Sequence, residues 1–549
     1  MVRNKGIFLF FFSYLLLACS ESLGQVSRYV VYFSDKNNSP FKIESPEKFL
    51  SSRAIQRREN QDISITPRDF PVNPQYIEKL REKGVPIYYS SRWLNAVLIE
   101  ESASNLEKIE GLSFVERIEF VAPGSKLKSN GSFFEKEFNS SSNQTSTVDD
   151  YLTSDFQNQM LGIDHFLEEG FDGTGKLVAI FDGGFLHADQ SPLFEHIFED
   201  RHLLATKDFT TNSSDVFRHH NHGTKVWSCI GGLWGDHYKA GAFNADYILC
   251  VTEDVQSEYR IEEYNWLFAA EYADSAGVDI INSSLGYFVF DDKAMDYSRE
   301  DLDGQTTIVS QAAQMAAERG ILVVTAAGNE GITFWNQIIA PADAKDVLTV
   351  GAVSDDFSHV SFSSSGPTAD GRIKPDVSAQ GYETVLASKD GTSLERGNGT
   401  SFSTPLVTAL ATLYWQQNPE LRNIDVIKEI KQVGHQAKNP NNQTGFGVPN
   451  FYREFTDNLL ENYSNLRDED FLFPNPSLNG IIYLKYAYQN QKFDIRIFDL
   501  KGQKYNFPYQ GIGGKFLSLN VSTLPKGVYL LKLEDEYESK IFRLVYIGN

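Results

Sequence analysis

The stretch KLVAIFDGG, residues 176–184, is an apolar run that ends on an aspartate and two glycines. It reads as a strand buried on both faces, stopped at Asp182 where Gly183 and Gly184 let the backbone turn tightly. Working outward, YILCVTED (247–254), VDIINSSLG (278–286), ILVVTAAGN (321–329) and DVLTVGAV (346–353) repeat the pattern. Helical patterns lie between them, among them YNWLFAAEYADSAG (264–277) and IVSQAAQMAAERG (308–320). Strands alternating with helices predict an α/β fold: a parallel sheet with helices on both faces, spanning residues 151–452.

The full chain has 549 residues, too many for one core, and its 41% hydrophobic and 13% aromatic content is that of a globular protein. A net charge of -23 argues against nucleic acid as a partner. Residues 1–24 read as an export signal: Arg3 and Lys5 precede a short apolar run, and Ser22-Leu23-Gly24 fits a cleavage site. A competing cut before Cys19 would leave a lipid-anchored cysteine. Residues 25–123 alternate strand and helix patterns and predict a small α+β domain. Residues 124–150 and 453–470 are polar and aperiodic linkers. Residues 471–549 carry short strand runs, IIYLKYAY to KIFRLVYI, and predict a small all-β sandwich. Cys229 and Cys250 are too few for a disulfide framework and read as buried thiols, with a single bridge as the alternative.

In a sheet of this kind, sites form beyond the carboxyl ends of the strands. That rule selects four residues. Asp182 ends its strand, although such an aspartate also caps helices. His222, in HHNHGTKVW, stands at a helix N-terminus, where a resting positive charge is disfavoured and a neutral base is favoured. The same histidine, with His219 and His220, also fits a metal cluster or a solvated turn. Asn329 follows a strand and a glycine, where its amide could donate to a developing oxyanion or simply complete a turn. In GNGTSFSTPLVTAL (397–410) a glycine-rich turn runs into a helix. Ser401 sits at that junction, exposing a hydroxyl beside its own free N–H. Thr400 reads as a cap, Ser403 and Thr404 as residues of the first turn, and all four hydroxyls could be caps.

Taken together, VAIFDGGF, HGTKV, SSLG, AAGN and GTSFSTP resemble the motif blocks of the subtilisin-like serine proteases, with Asp, His and Ser in that family's order. The resemblance covers most of residues 155–450. It implies a secreted serine endopeptidase, made as a zymogen, that acts on protein and peptide substrates with no catalytic cofactor. It assigns Ser401 as nucleophile, His222 as base, Asp182 as the orienting carboxylate and Asn329 as oxyanion donor. Ser284, Leu285 and Gly286 would bind substrate backbone. Ala326, Ala327 and Gly328 would form the second wall of the S1 pocket. Lys225, Trp227, Phe402 and Ser403 depart from the commonest family wording, which touches pocket shape and rate.

Residues 25–123 resemble the family's inhibitory propeptides, so the chain's own propeptide is an expected partner. The segments FPNPSLNG, FDIRIFDLKGQ and LPKGVYLLKL resemble type IX secretion sorting domains, which implies contact with outer-membrane secretion machinery and a place outside the cell or on its surface. HIFED (196–200) lacks the second histidine of a zinc-protease motif. DYSREDLDG (296–304) offers Asp301 and Asp303 as calcium ligands or as a solvated acidic turn, so structural calcium stays open. The alternative from another class is an inactive protease fold that serves as a surface binding protein. A third option is an esterase on the same residues.

Overall fold

The computed structural model describes residues 26–124, 152, 154–235, 238–452 and, within 471–547, all but 474, 476, 478–479, 486–493, 513–515 and 535–538. The export signal and nearly all of both linkers lie outside the described residues. Among the described residues no helix is long and apolar enough to cross a membrane.

The described residues divide into two compact units, those within 1–42 and 66–132, and those within 43–65 and 133–549. The first holds a four-stranded antiparallel sheet from Val26–Phe33, Ile87–Ser91, Ala96–Ser102 and Val115–Pro123, with Val26–Phe33 between the last two. Helices Pro74–Glu82 and Ala103–Glu110 cover it, and Val31, Val97, Ile99, Leu80 and Ile109 form its core. Residues 43–65 interrupt the expected contiguous N-terminal domain: they fold as part of the second unit.

That second unit begins with helix α1 (Ser52–Asn60) and is built on a seven-stranded parallel sheet. Its strands are β1 (Leu177–Asp182), β2 (Leu203–Asp208), β3 (Asp246–Val251), β4 (Ile280–Ser283), β5 (Leu322–Ala326), β6 (Leu348–Val353) and β7 (Val377–Gln380). Their spatial order is β7-β6-β5-β4-β1-β3-β2. The order reverses beside β1, and in sheets of this kind sites form there, beyond the carboxyl ends of the strands. Every residue of β1, β4, β5 and β6 is buried, because helices cover both faces. Helices α2 (His222–Gly231) and α5 (Thr400–Gln417) pack together against the face that carries Val178 and Ile180. Helices α3 (Ile261–Ala276) and α4 (Ile308–Glu318) pair on the other, where Phe181 meets Trp266 edge-on. Trp227 is wholly buried and stacks on Phe194 at 4.1 Å, so it fills core.

Cys229 and Cys250 are free and buried. Burial pushes the Cys229 thiol up to about 12 and the Cys250 thiol higher still. The C-terminal region forms the expected sandwich of two antiparallel four-stranded sheets around Ile482, Leu484, Ile497, Leu519 and Leu531.

A buried charge cluster ties β6 and β7 to helix α6 (Asn423–Gln432). The Asp376 carboxylate accepts from Lys374 Nζ at 2.6 Å, Lys431 Nζ at 2.7 Å and the Thr349 N–H at 2.9 Å. Burial alone would raise the Asp376 pKa, but the two ammonium groups outweigh it and hold the carboxyl below its usual range. A depressed carboxyl contributes stability above the unfolded value of about 4 and loses it as pH falls through the folded value.

Asp376→Asn should therefore destabilise the fold by about 3–5 kcal/mol at pH 7, because Lys374 is left buried without its counter-charge. In denaturant titrations the gap to wild type should narrow steadily below pH 4. A gap that stays constant down to pH 2 would refute the assignment. In a thiol-reagent titration both cysteines should stay silent until the chain unfolds, since a thiol raised this far carries almost no thiolate at pH 8.

Candidate active site

Asp182 is the last residue of β1 and has no exposed surface. Both of its carboxylate oxygens lie 2.9 Å from His222 Nδ1, and Oδ1 also accepts the Gly183 N–H at 2.8 Å. His222 opens α2 and is 5% exposed. Glycines allow this approach. A side chain on Gly184, where φ is 145°, would strike the backbone of residues 218–220, and one on Gly223 would strike the Gly184 carbonyl. The Gly223 N–H donates to that same carbonyl at 3.0 Å, so the turn after β1 is fastened to the first turn of α2.

The three histidines do not gather. His219 Nε2 lies 3.1 Å from Asp208 Oδ2, while His220 Nδ1 accepts the His222 N–H at 3.1 Å. Burial raises the Asp208 pKa, but hydrogen bonds from His219, Thr211 and Thr210 more than offset it, and the carboxyl ends well below its ordinary value. Lys225 pairs with Glu395 at 2.6 Å.

Ser401 is the second residue of α5, which starts at Thr400 after Gly399 in an extended conformation with positive φ (φ 150°, ψ 152°). Pro405 lies four residues on and has no N–H, so it leaves the Ser401 carbonyl outside the helical ladder. Ser284, just beyond β4, takes that place: its hydroxyl donates to the Ser401 carbonyl at 2.9 Å. In return the Ser401 hydroxyl donates to the Ser284 carbonyl at 3.2 Å. The Phe402 ring lies 5.7 Å from the His222 ring, so the start of α5 abuts the start of α2.

Asn329 follows β5 by three residues. Its Oδ1 accepts the Thr400 N–H at 2.9 Å and the Thr400 hydroxyl at 3.0 Å. A backbone N–H only donates, so the bonded atom is the amide oxygen and Nδ2 faces the other way. Thr400 is thus a bridge and not the expected cap, and its hydroxyl also accepts the Gly328 N–H at 3.3 Å. Ser403 and Thr404 bond back to the Thr400 carbonyl within the helix.

Residues 284–286 and 326–328 extend the ends of β4 and β5 side by side, with Leu285, Ala326 and Ala327 buried. Sequence reading missed the residue between them. Ile339 puts its Cγ1 and Cδ1 against both Gly286 and Gly328, within 3.0 Å of where a side chain would begin at either. The Ile339 N–H is held by the Ala327 carbonyl at 3.2 Å. Only its apolar character and its place shortly after the AAGN block could have drawn attention to it.

Asp301 and Asp303 are used locally. Asp301 accepts the Ser298 N–H at 2.7 Å, and Asp303 accepts the N–H groups of Gln305 and Thr306 at 2.7 and 2.8 Å.

Comparison with known proteins adds to this geometry. The model described as "Subtilase family" matches residues 173–447, just over half of the chain. "Peptidase S8 propeptide domain, Bacteroidota" matches 28–137, and "Secretion system C-terminal sorting domain" matches 471–547. With that sorting domain the protein is secreted or attached to the cell surface. Subtilisin-like protease SBT6.1 of Arabidopsis thaliana is 30% identical over 317 residues, covering 56% of this chain and 28% of that protein. Serine protease AprX of Bacillus subtilis is 28% identical over 290 residues, covering 48% of this chain and 61% of that protein. The chain thus spans less than two thirds of either relative. Among solved structures, MycP1 from Mycobacterium smegmatis aligns with a TM-score of 0.41 at 22% identity over 54% of this chain and 82% of that one.

Proposed function

The chain belongs to the subtilase family, and we propose that it is a serine endopeptidase made as a zymogen and working through an acyl-enzyme at Ser401. The observation that carries this reading is the grip of Asp182 on His222 Nδ1 by both carboxylate oxygens. A carboxylate only accepts, so Nδ1 bears a proton, and in the neutral ring Nε2 then presents its lone pair. That is the tautomer a general base requires. Nε2 takes the Ser401 proton as Oγ attacks the peptide carbonyl, and then passes it to the departing amine. Water enters by the same route and releases the acyl group. The Ser401 N–H at the start of α5 and Asn329 Nδ2 hold the oxyanion. Binding of substrate backbone alongside Ser284–Gly286 would release the Ser401 hydroxyl from the Ser284 carbonyl.

A fluorophosphonate probe should label the processed protein, and Ser401→Ala should abolish labelling. Asp182→Asn should lower kcat by about 10⁴ through the wrong tautomer, and Asn329→Ala by about 10²–10³. Processed protein that takes no label would favour a binding role for the fold.

The same reading fixes the size of the residue accepted before the scissile bond. Ile339 fills the gap between the two pocket walls, so alanine, glycine and serine are favoured at P1. Ile339→Gly should open the gap and raise kcat/KM for a phenylalanyl over an alanyl substrate by about tenfold or more. Wild-type cleavage after phenylalanine as fast as after alanine would sink this assignment while leaving the hydrolytic reading intact.

A further inference from the structure

Residues 43–65 belong in sequence to the matched propeptide, yet they fold within the catalytic unit. Helix α3 ends at Ala276, and its last carbonyls need donors. They receive them from this segment. The Ser51 N–H and hydroxyl donate to the Ser275 and Ala276 carbonyls, each at 3.0 Å. Arg53 Nε donates to the Gly277 carbonyl at 3.0 Å and Arg57 to the Val278 carbonyl at 2.6 Å. The Asp274 carboxylate, with no exposed surface, is bonded by both Arg57 and Arg58, the latter at 2.9 and 3.0 Å. Both arginines are at least 95% buried. Gln61 completes the seat, donating to the Gly320 carbonyl at 2.8 Å and accepting the Asn423 N–H at 2.9 Å.

The catalytic side is shaped for this occupant. A side chain on Gly277 would strike the backbone of Arg53 and Ala54, and one on Gly320 would strike Gln61 and Ile63. Two cations against a helix C-terminus also suit its dipole. The contacts touch residues just before β1, β4 and β5, namely Gly175, Val278, Asp279 and Gly320. The residues of the candidate active site lie at the opposite, carboxyl ends of those strands, a strand length of roughly 20 Å away.

We propose that residues 51–61 are an anchor: an arginine-bearing helix, seated on the end of α3 and remote from the cleft, that keeps the proregion on the catalytic unit after the 124–150 linker is cut. Cutting the linker frees one chain end, but the guanidinium pair stays lodged on Asp274. Release of the proregion then requires unseating α1 or destroying it by further proteolysis. The proposal rests on the propeptide assignment and needs no catalytic step.

The test uses the full chain carrying Ser401→Ala, with a recognition sequence for an added site-specific protease placed in the linker. After cutting, gel filtration in 0.15 M and ~1 M NaCl reads whether the N-terminal fragment travels with the catalytic unit. Co-elution at both salt levels is expected, because buried pairs are little screened. With Arg57→Ala and Arg58→Ala together, the fragment should separate or its dissociation constant should rise at least tenfold. Should that pair of substitutions prevent folding, Asp274→Asn keeps the shape of the seat and should weaken retention in the same direction. Loss of the fragment from the parent as readily as from the variants overturns the proposal, and so does undiminished retention in the variants. Because binding is the readout, failure here is distinct from failure of the hydrolytic reading, which the fluorophosphonate probe measures.

Discussion

A carboxylate without exposed surface survives folding only if something nearby shares its charge. Asp182 meets that condition through the His222 ring nitrogen and the Gly183 N–H, and much of the second unit is arranged around the meeting. The strand that delivers Asp182 lies inside the sheet, between β4 and β3, at the reversal of strand order. The helix that delivers His222 must start within a few ångströms of the strand's end, which requires Gly184 and Gly223 where their backbones cross. The protonated Nδ1 is a consequence of this packing and not a separate design element.

The second half of the site follows from a missing donor. Pro405 denies the Ser401 carbonyl its usual place in the helix, and the Ser284 hydroxyl fills the gap. One backbone irregularity thus joins the start of α5 to the end of β4. Thr400 makes the matching link to β5 through Asn329. The three elements are held in register by hydrogen bonds of Ser284, Thr400 and Asn329, and behind them the buried Thr408 hydroxyl donates to Asn282 Oδ1 at 2.7 Å, joining α5 to β4 again.

The strands carrying the site were legible because parallel strands buried on both faces show as unbroken apolar runs. β2 and β7 were not: LLATKD mixes polar and apolar residues at an edge, and VSAQ is four residues long. In the sandwich, Phe471–Phe473 and Lys504–Tyr505 are too short to show a period. Helix α1 escaped notice for a different reason. Sequence patterns register apolar faces, whereas this helix docks through guanidinium groups on carbonyls and a carboxylate. Thr400 and Ile339 act through contacts with residues far from them in the chain, which no local pattern records. The roles of Lys225 and Trp227 became readable only with their partners, Glu395 and Phe194, in place.

The path of residues 43–65 also bears on modularity. A domain that is continuous in sequence can be exchanged as a cassette, with one junction at each end. Here the N-terminal module departs from itself after residue 42 and resumes at residue 66. A chimera that transplants a foreign inhibitor ahead of the catalytic domain would therefore remove the terminal cap of a helix belonging to the enzyme. Any graft that spares the host needs its junctions at those two internal crossings, so that the native loop travels with the recipient.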